Sequence, residues 1–405
     1  MRAGRSSAAL AAMVAAGALA AAPAVASADD DDFDGASVIF ARGSALYRVD
    51  ARGKGETEIA QFAAKVTVRA LRTDAAGSVL LADLSGTWAW IPLDGSTRSL
   101  TELPCGDGPA QLADDGTAVL CRSPKSPRQS VLVELGRGTA AGGAARSLVL
   151  DIQPGAARVV GSGAERKLVW ADAGGVWTAS PGDPKRKARA ALDAPLRSFL
   201  PSPDGVRAVA VYSDQVFADL HHKRAADVLM TLQLDGQGAR RKAIRDGVPV
   251  EWSHDGDWLL IQDGASTCIM RASGGQYKCW RGLTAASLSS DGRWALALGN
   301  RDGSRSSAKP RKPAKPAARP APPSRAAARS DDAPAGDDKP WDHIDEPSDE
   351  PEAGGAAPAL DDVSVALPSG PLSLYRLRLE GAFTDRPILL VKVVDGAAVW
   401  VPGAP

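Results

Sequence analysis

Apolar residues in this chain come in short runs, broken by triplets rich in Gly and Asp rather than by the polar faces of helices. The stretch from Val248 to Gly282 shows the pattern most plainly, reading PVEWS, DWLLIQ, STCIMRA and QYKCW with HDG, DGA and SGG between them. Those triplets supply the Asp and Gly that tight turns between antiparallel strands require. The stretch therefore predicts a unit of four short antiparallel strands.

The unit recurs along the chain. The strands that follow the central hydrophobic strand read LYRVDARG from Leu46, WAWIPLDG from Trp88, VLVELGRG from Val131, VWTASPGD from Val176, LMTLQLDG from Leu229, CIMRASGG from Cys268 and LYRLRLEG from Leu374. Each is preceded by a hydrophobic strand, such as VIFARG, VLLADLSG or WALALGN, and that strand by a Gly turn. Most of these strands alternate apolar with small or polar residues, as half-buried antiparallel strands do. Successive segments lie mostly 39 to 45 residues apart, with one step of 53 between Val176 and Leu229 and one of 106 between Cys268 and Leu374. The last falls to about 45 once the Pro-, Ala- and charge-rich stretch from Arg301 to Asp362 is set aside. Four strands per unit at that period predict an all-β, seven-bladed β-propeller of four-stranded antiparallel blades. A β-sandwich would share the strands but not the fixed period.

The first unit opens at Asp32-Phe33-Asp34-Gly35 with no inner strand before it, while Gly396 to Pro402 (GAAVWVP) is a strand left over at the other end. This C-terminal strand is expected to complete blade 1 and remove the unpaired edges at the seam. The propeller is expected over residues 29–300 and 363–405. Between them, residues 301–362 are rich in Pro, Ala and charge and too poor in apolar residues to order themselves, which predicts a disordered insert in the last blade.

The chain begins with the layout of a secretory signal peptide. Arg2 and Arg5 precede a small apolar run, and Ala26-Ser27-Ala28 is a small-x-small cleavage site, so residues 1–28 are expected to be removed. No Cys lies near the cut, as a lipid-modified N-terminus would need, and no later run is long enough to span a bilayer. An exported protein, periplasmic or extracellular and monomeric, is expected. Removal of Arg2 and Arg5 takes the 48 basic residues to 46 against 48 acidic ones, a net charge of −2, which argues against nucleic-acid binding.

The four cysteines suit an oxidising compartment. Cys268 and Cys279 fall opposite each other across the turn at Ser273-Gly274, so a local disulfide is geometrically open to them. Cys105 and Cys121 would then pair across the junction of two repeats. Free thiols and metal binding are the rival readings, the latter without any CxxC spacing.

The turns SPDG (Ser202 to Gly205), WSHDG (Trp252 to Gly256) and SSDG (Ser289 to Gly292) resemble the repeats of TolB-type, WD-like β-propellers. The resemblance spans nearly all of the chain between leader and end outside the insert, strongest in the last three repeats. It implies a seven-bladed propeller in the cell envelope. The chain departs from TolB itself, whose additional N-terminal α/β domain engages its partners, and from the peptidase propellers, which carry an α/β-hydrolase domain. Some sugar-lyase members hold a metal with several histidines, whereas this chain has four in all.

Catalytic chemistry is sparse. Val160-Gly161-Ser162-Gly163-Ala164 comes closest to a nucleophile elbow and lacks the Gly at both ends. His254 occupies a turn position, His343 lies in the insert, and His221 and His222 lie between two strands, where a solvated loop competes with a metal site. Asp29 to Asp32 with Asp34 could attract Ca²⁺, against a solvated run. Nine of the ten tryptophans fall in predicted strands, where space-filling competes with carbohydrate stacking.

Trp341 is the exception. It lies in the insert, whose first half is basic and second half acidic. Arg311, Lys312, Lys315 and Arg319, with Trp341 and Ile344, form the candidate interaction segment, facing an anionic envelope polymer or an acidic protein surface; a neutral spacer is the alternative. No catalytic, cofactor or metal set is assigned. The expected function is a non-catalytic protein-interaction or scaffold module binding an envelope protein. Alternatives are a polysaccharide-acting lyase or hydrolase and a small-ligand sensor, each using the central channel.

Overall fold

The computed structural model describes residues 33, 35–93, 100–135, 146–153, 155–172, 174–183, 185–190, 192, 196–212, 228–234, 244–245, 247–273, 277–290, 292–300, 372–379 and 387–402. They form seven four-stranded antiparallel sheets in a ring, a β-propeller. Blade 1 combines Ala398–Val401 with three strands in 37–61; blades 2 to 6 span 68–102, 110–150, 157–190, 196–245 and 247–281; blade 7 spans 283–300 and 372–394. The leader 1–28, the acidic run Asp29 to Asp32 with Asp34, and the insert 301–362 lie outside the described residues.

The expected closure is present. The innermost strand of blade 1 is Ala398–Val401, which pairs antiparallel with Ser37–Arg42, placing Val38 opposite Trp400 and Phe40 opposite Ala398. Two further bonds fix it between its neighbours in the ring. Ser287 Oγ in blade 7 accepts from the Trp400 amide (3.4 Å), and Thr73 Oγ1 in blade 2 donates to the Trp400 carbonyl (3.2 Å). At the same seam the Arg376 guanidinium lies 4.3 Å from the Phe33 ring centroid and 4.6 Å from that of Trp294, and its Nη1 donates to the Ala51 carbonyl (2.9 Å).

The core sits between blades. The buried side chains divide into seven clusters, each spanning one blade-to-blade junction. Leu80 and Ala82 face blade 1, for example, while Val79 and Leu81 of the same strand face blade 3. The middle strands are therefore buried on both faces, as in Val79–Leu84 and Trp258–Asp263. This corrects the reading of these middle strands as half-buried: successive residues face the two neighbouring junctions in turn, and both junctions are buried. The nine tryptophans expected in strands are all there, and Trp88, Trp252, Trp258, Trp294 and Trp400 are nearly fully buried.

The S-x-D-G turns join inner to second strands and explain their own sequence. Ser253 Oγ accepts the Trp258 amide (2.9 Å) and Ser289 Oγ the Trp294 amide (2.9 Å), while Ser253 and Ser202 also donate to the carboxylates of Asp255 and Asp204. Asp74 substitutes for the Ser in blade 2, accepting the Val79 amide (2.8 Å). The turn Gly has a second duty, since it docks on the preceding blade. At Gly77 φ is +66°, and an added Cβ would stand 2.8 Å from Val401 and 2.9 Å from Pro402.

Between blades 3 and 4, Asp115 accepts from the Thr117 hydroxyl (2.8 Å), the Thr117 and Gly163 amides (3.1 Å each) and Arg166 Nη2 (2.9 Å). Desolvation is the largest single influence on this carboxyl and pushes it up. The hydrogen bonds from Thr117 and Gly163, with the Arg166 charge, outweigh it and hold Asp115 below its ordinary value.

Two measurements check this account. Gly77→Ala should destabilise by about 2–4 kcal/mol, strain plus overlap, whereas Gly264→Ala (φ +53°, nothing within 4 Å) should cost only about 1 kcal/mol; equal losses in urea unfolding would remove the docking role of the turn. Asp115→Asn should be less stable than the parent at neutral pH. A depressed carboxyl contributes stability that is present above its unfolded value near 3.8 and lost as pH falls through the folded one, so the gap should narrow in acid. A gap independent of pH would contradict it.

Candidate functional site: the central channel

The seven innermost strands line a channel along the ring axis, and their direction fixes its two ends. The inner strands of blades 2 to 7 run from one face of the ring to Gly turns on the other, written S-x-D-G in blades 5 to 7, and the second strand returns. The second-to-third-strand connections therefore share a face with the starts of the inner strands. From this face the chain leaves blade 5 at Tyr212 and returns at Val228, and leaves blade 7 at Asn300 and returns at Leu372; the members of each pair are opposite one another in register.

At this face the channel opens into a cavity of about 530 Å³, lined among others by Arg69, Pro109, Val250, Ala286, Asp395 and Ala398. Four inner strands carry a register shift: between Val68 and Ala70 and between Leu196 and Ser198, five residues before the turn, and between Pro249 and Glu251 and between Ala285 and Ser287, three residues before it. The extra residues are Arg69, Arg197, Val250 and Ala286. A bulge re-aims the residue it leaves unpaired, and Arg69, Val250 and Ala286 all line the wide mouth. The Arg69 guanidinium bridges Asp83 (3.0 Å) and Asp107. The bond to Asp107, followed by that to Asp83, raises Arg69 above its ordinary value against the opposing effect of burial.

The opposite end narrows to a cavity of about 180 Å³ with a different chemistry. Arg72, Gln111, Asp114, Arg158, Glu251 and His254 line it, over a wall that includes Phe199 and Leu200. Arg158 Nη2 stands 3.7 Å from Asp114 Oδ1, and its Nη1 donates to the Pro201 carbonyl (3.3 Å). Burial pushes the Arg158 guanidinium below its ordinary value; Asp114 and Glu251 pull it back, and Arg72 adds to the lowering. Glu251 Oε2 accepts the Leu288 amide (2.7 Å), so this carboxylate also ties blade 6 to blade 7. His254 Nδ1 lies 3.8 Å from Asp114 Oδ1.

The residues singled out in the sequence fall elsewhere. Both cysteine pairs are bridged, Cys105 to Cys121 and Cys268 to Cys279, the second across directly paired strand positions. Among the described residues, the Asp263 carboxylate lies with the two sulfurs of Cys268 and Cys279 within 4.8 Å, the sulfurs being already bonded to each other. His254 occupies its turn as expected and lines the narrow cavity as well. His221 and His222, and Arg311, Lys312, Lys315, Arg319, Trp341 and Ile344, lie outside the described residues. Sequence reading missed the channel charges; the one signal for them was a Glu or Arg within an otherwise apolar inner strand, as in PVEWS.

No family model and no curated protein matches the chain. It is similar in structure to TolB from Acinetobacter baumannii. The identity is 13% and the TM-score 0.40, over 60% of this chain and 62% of that one. It is also similar to the hydrazine synthase of Kuenenia stuttgartiensis (12% identity, TM-score 0.40, 57% of this chain and 73% of that one) and to Hsv2 of Kluyveromyces lactis (12%, 0.37, 58% and 72%). The propeller architecture rests on the strand pairing itself. Among the described residues no helix is long and apolar enough to cross a membrane.

Proposed function

We propose that this chain is an exported, non-catalytic propeller of the TolB type that serves as a protein-interaction module in the cell envelope, engaging its partner at the wide mouth of the channel. The observation that carries this reading is the bulges of three inner strands, whose extra residues Arg69, Val250 and Ala286 line one opening. Val250, Ala286 and Ala398 line this opening beside Arg69 and Asp107, whose side chains are 42% and 70% exposed, a combination of apolar centre and polar edge that protein interfaces show. Export is supported by the leader and by the two disulfides, which persist in oxidising compartments. The charged segment 301–362 acts as a secondary tether; the support for it is its split into a basic and an acidic half.

The test is cross-linked capture from envelope extract, with the secreted protein as bait and its N-terminus read by mass spectrometry. The bait should begin at Asp29 and capture a saturable partner, which Ala286→Trp loses by filling the mouth and Asp107→Arg weakens by reversing a rim charge. Capture that survives Ala286→Trp unchanged would take recognition away from the wide mouth. Turnover of an envelope glycan by the bait would favour an enzyme instead.

A further inference from the structure

The narrow end of the channel has a chemistry that a partner at the other mouth leaves unused. Two guanidinium groups (Arg72 and Arg158) and two carboxylates (Asp114 and Glu251) converge on one small cavity. They come from the inner strands and turns of four different blades. We propose that this end of the channel binds a small zwitterion, a free amino acid or a molecule of that size bearing one carboxylate and one ammonium group. Its carboxylate lies against Arg72 and Arg158, its ammonium against Asp114, Glu251 and Gln111, and its side chain against Phe199 and Leu200.

Four features select this class over others. The cavity is balanced in charge: a net anion would meet Asp114 and Glu251 without compensation, and a net cation would meet the two arginines. The charges inside it pair only loosely. Asp114 faces Arg158 at 3.7 Å and His254 at 3.8 Å, ion-pair contacts longer than a hydrogen bond, so its oxygens can still accept from a donor. Gln111, in the cavity wall, has a buried Oε1 without a hydrogen-bond partner among the described residues, and a turn of its amide toward the cavity would present this acceptor to an ammonium group.

Size is the fourth feature. A cavity of about 150 Å³ holds benzene, so the 180 Å³ here suits an amino acid with a medium-sized side chain and excludes a folded protein segment. Burial strengthens every such contact: the Arg158 side chain is only 15% exposed, and ion pairs formed at this depth are weakly screened. The proposal does not rest on a partner at the wide mouth, although Arg72, Pro109, Ala110, Pro249 and Val250 line both cavities.

The experiment uses the full mature chain in thermal melts and calorimetric titrations against the standard L-amino acids, succinate, N-acetyl-L-phenylalanine and L-phenylalanine amide. At least one free amino acid should raise the melting temperature in a saturable way. For phenylalanine or its best-binding relative, blocking either the amine or the carboxylate should weaken binding at least about tenfold, the cost of a lost charged hydrogen bond. Arg72→Gln and Glu251→Gln should each weaken it comparably; the Gln at 251 keeps an acceptor for the Leu288 amide. Ala286→Trp should leave the titration unchanged. Should either variant fail to fold, the blocked ligands decide alone. The proposal is overturned if no free amino acid shifts the melt, if the blocked forms bind as tightly as the parent, or if succinate binds better.

Discussion

The pairing of Ala398–Val401 with Ser37–Arg42 is the contact on which the rest of the ring depends. A propeller blade is a thin sheet that buries both faces only by lying between two others, so an open ring leaves two faces and an edge in water. Here one blade is assembled from chain segments more than 300 residues apart in sequence, Ser37 beside Val401. The strand that completes it also donates to Ser287 and accepts from Thr73, and so holds blades 7 and 2 on either side of itself. The stack of Phe33, Arg376 and Trp294 fills the same seam.

Closure also makes the channel. With the inner strands fixed at regular intervals about the axis, any residue they direct inward meets residues of other blades. Bulges in three of these strands feed the wide mouth, while Arg72, Asp114, Arg158 and Glu251 line the narrow one. The two ends thus differ in kind. One is broad, with apolar floor and charged rim; the other is small, deep and balanced in charge.

The blades were legible in the sequence because two signals coincide. A Gly turn, written S-x-D-G in the last three repeats, precedes an apolar middle strand such as WLLIQD or WALALGN. The strand left over at GAAVWVP was legible for the same reason. Outer strands were not: Thr57–Gln61, Arg146–Leu150 and Lys187–Ala190 are largely exposed, so burial imposes no apolar pattern on them. The channel was missed for a related reason. Arg158 and Glu251 acquire their environment from blades far away in sequence, and a bulge of one residue, such as that at Val250, leaves no mark on composition.

The most direct measurement is the thermal unfolding of the mature protein truncated after Gly396. Removing Val399, Trp400 and Val401, which are nearly fully buried, opens the ring at its seam. The transition should fall by on the order of 10 °C or more and lose cooperativity, because blades 7 and 1 then unfold before the others. A truncated chain that melts as sharply, and at the same temperature, as the parent would contradict closure by this strand.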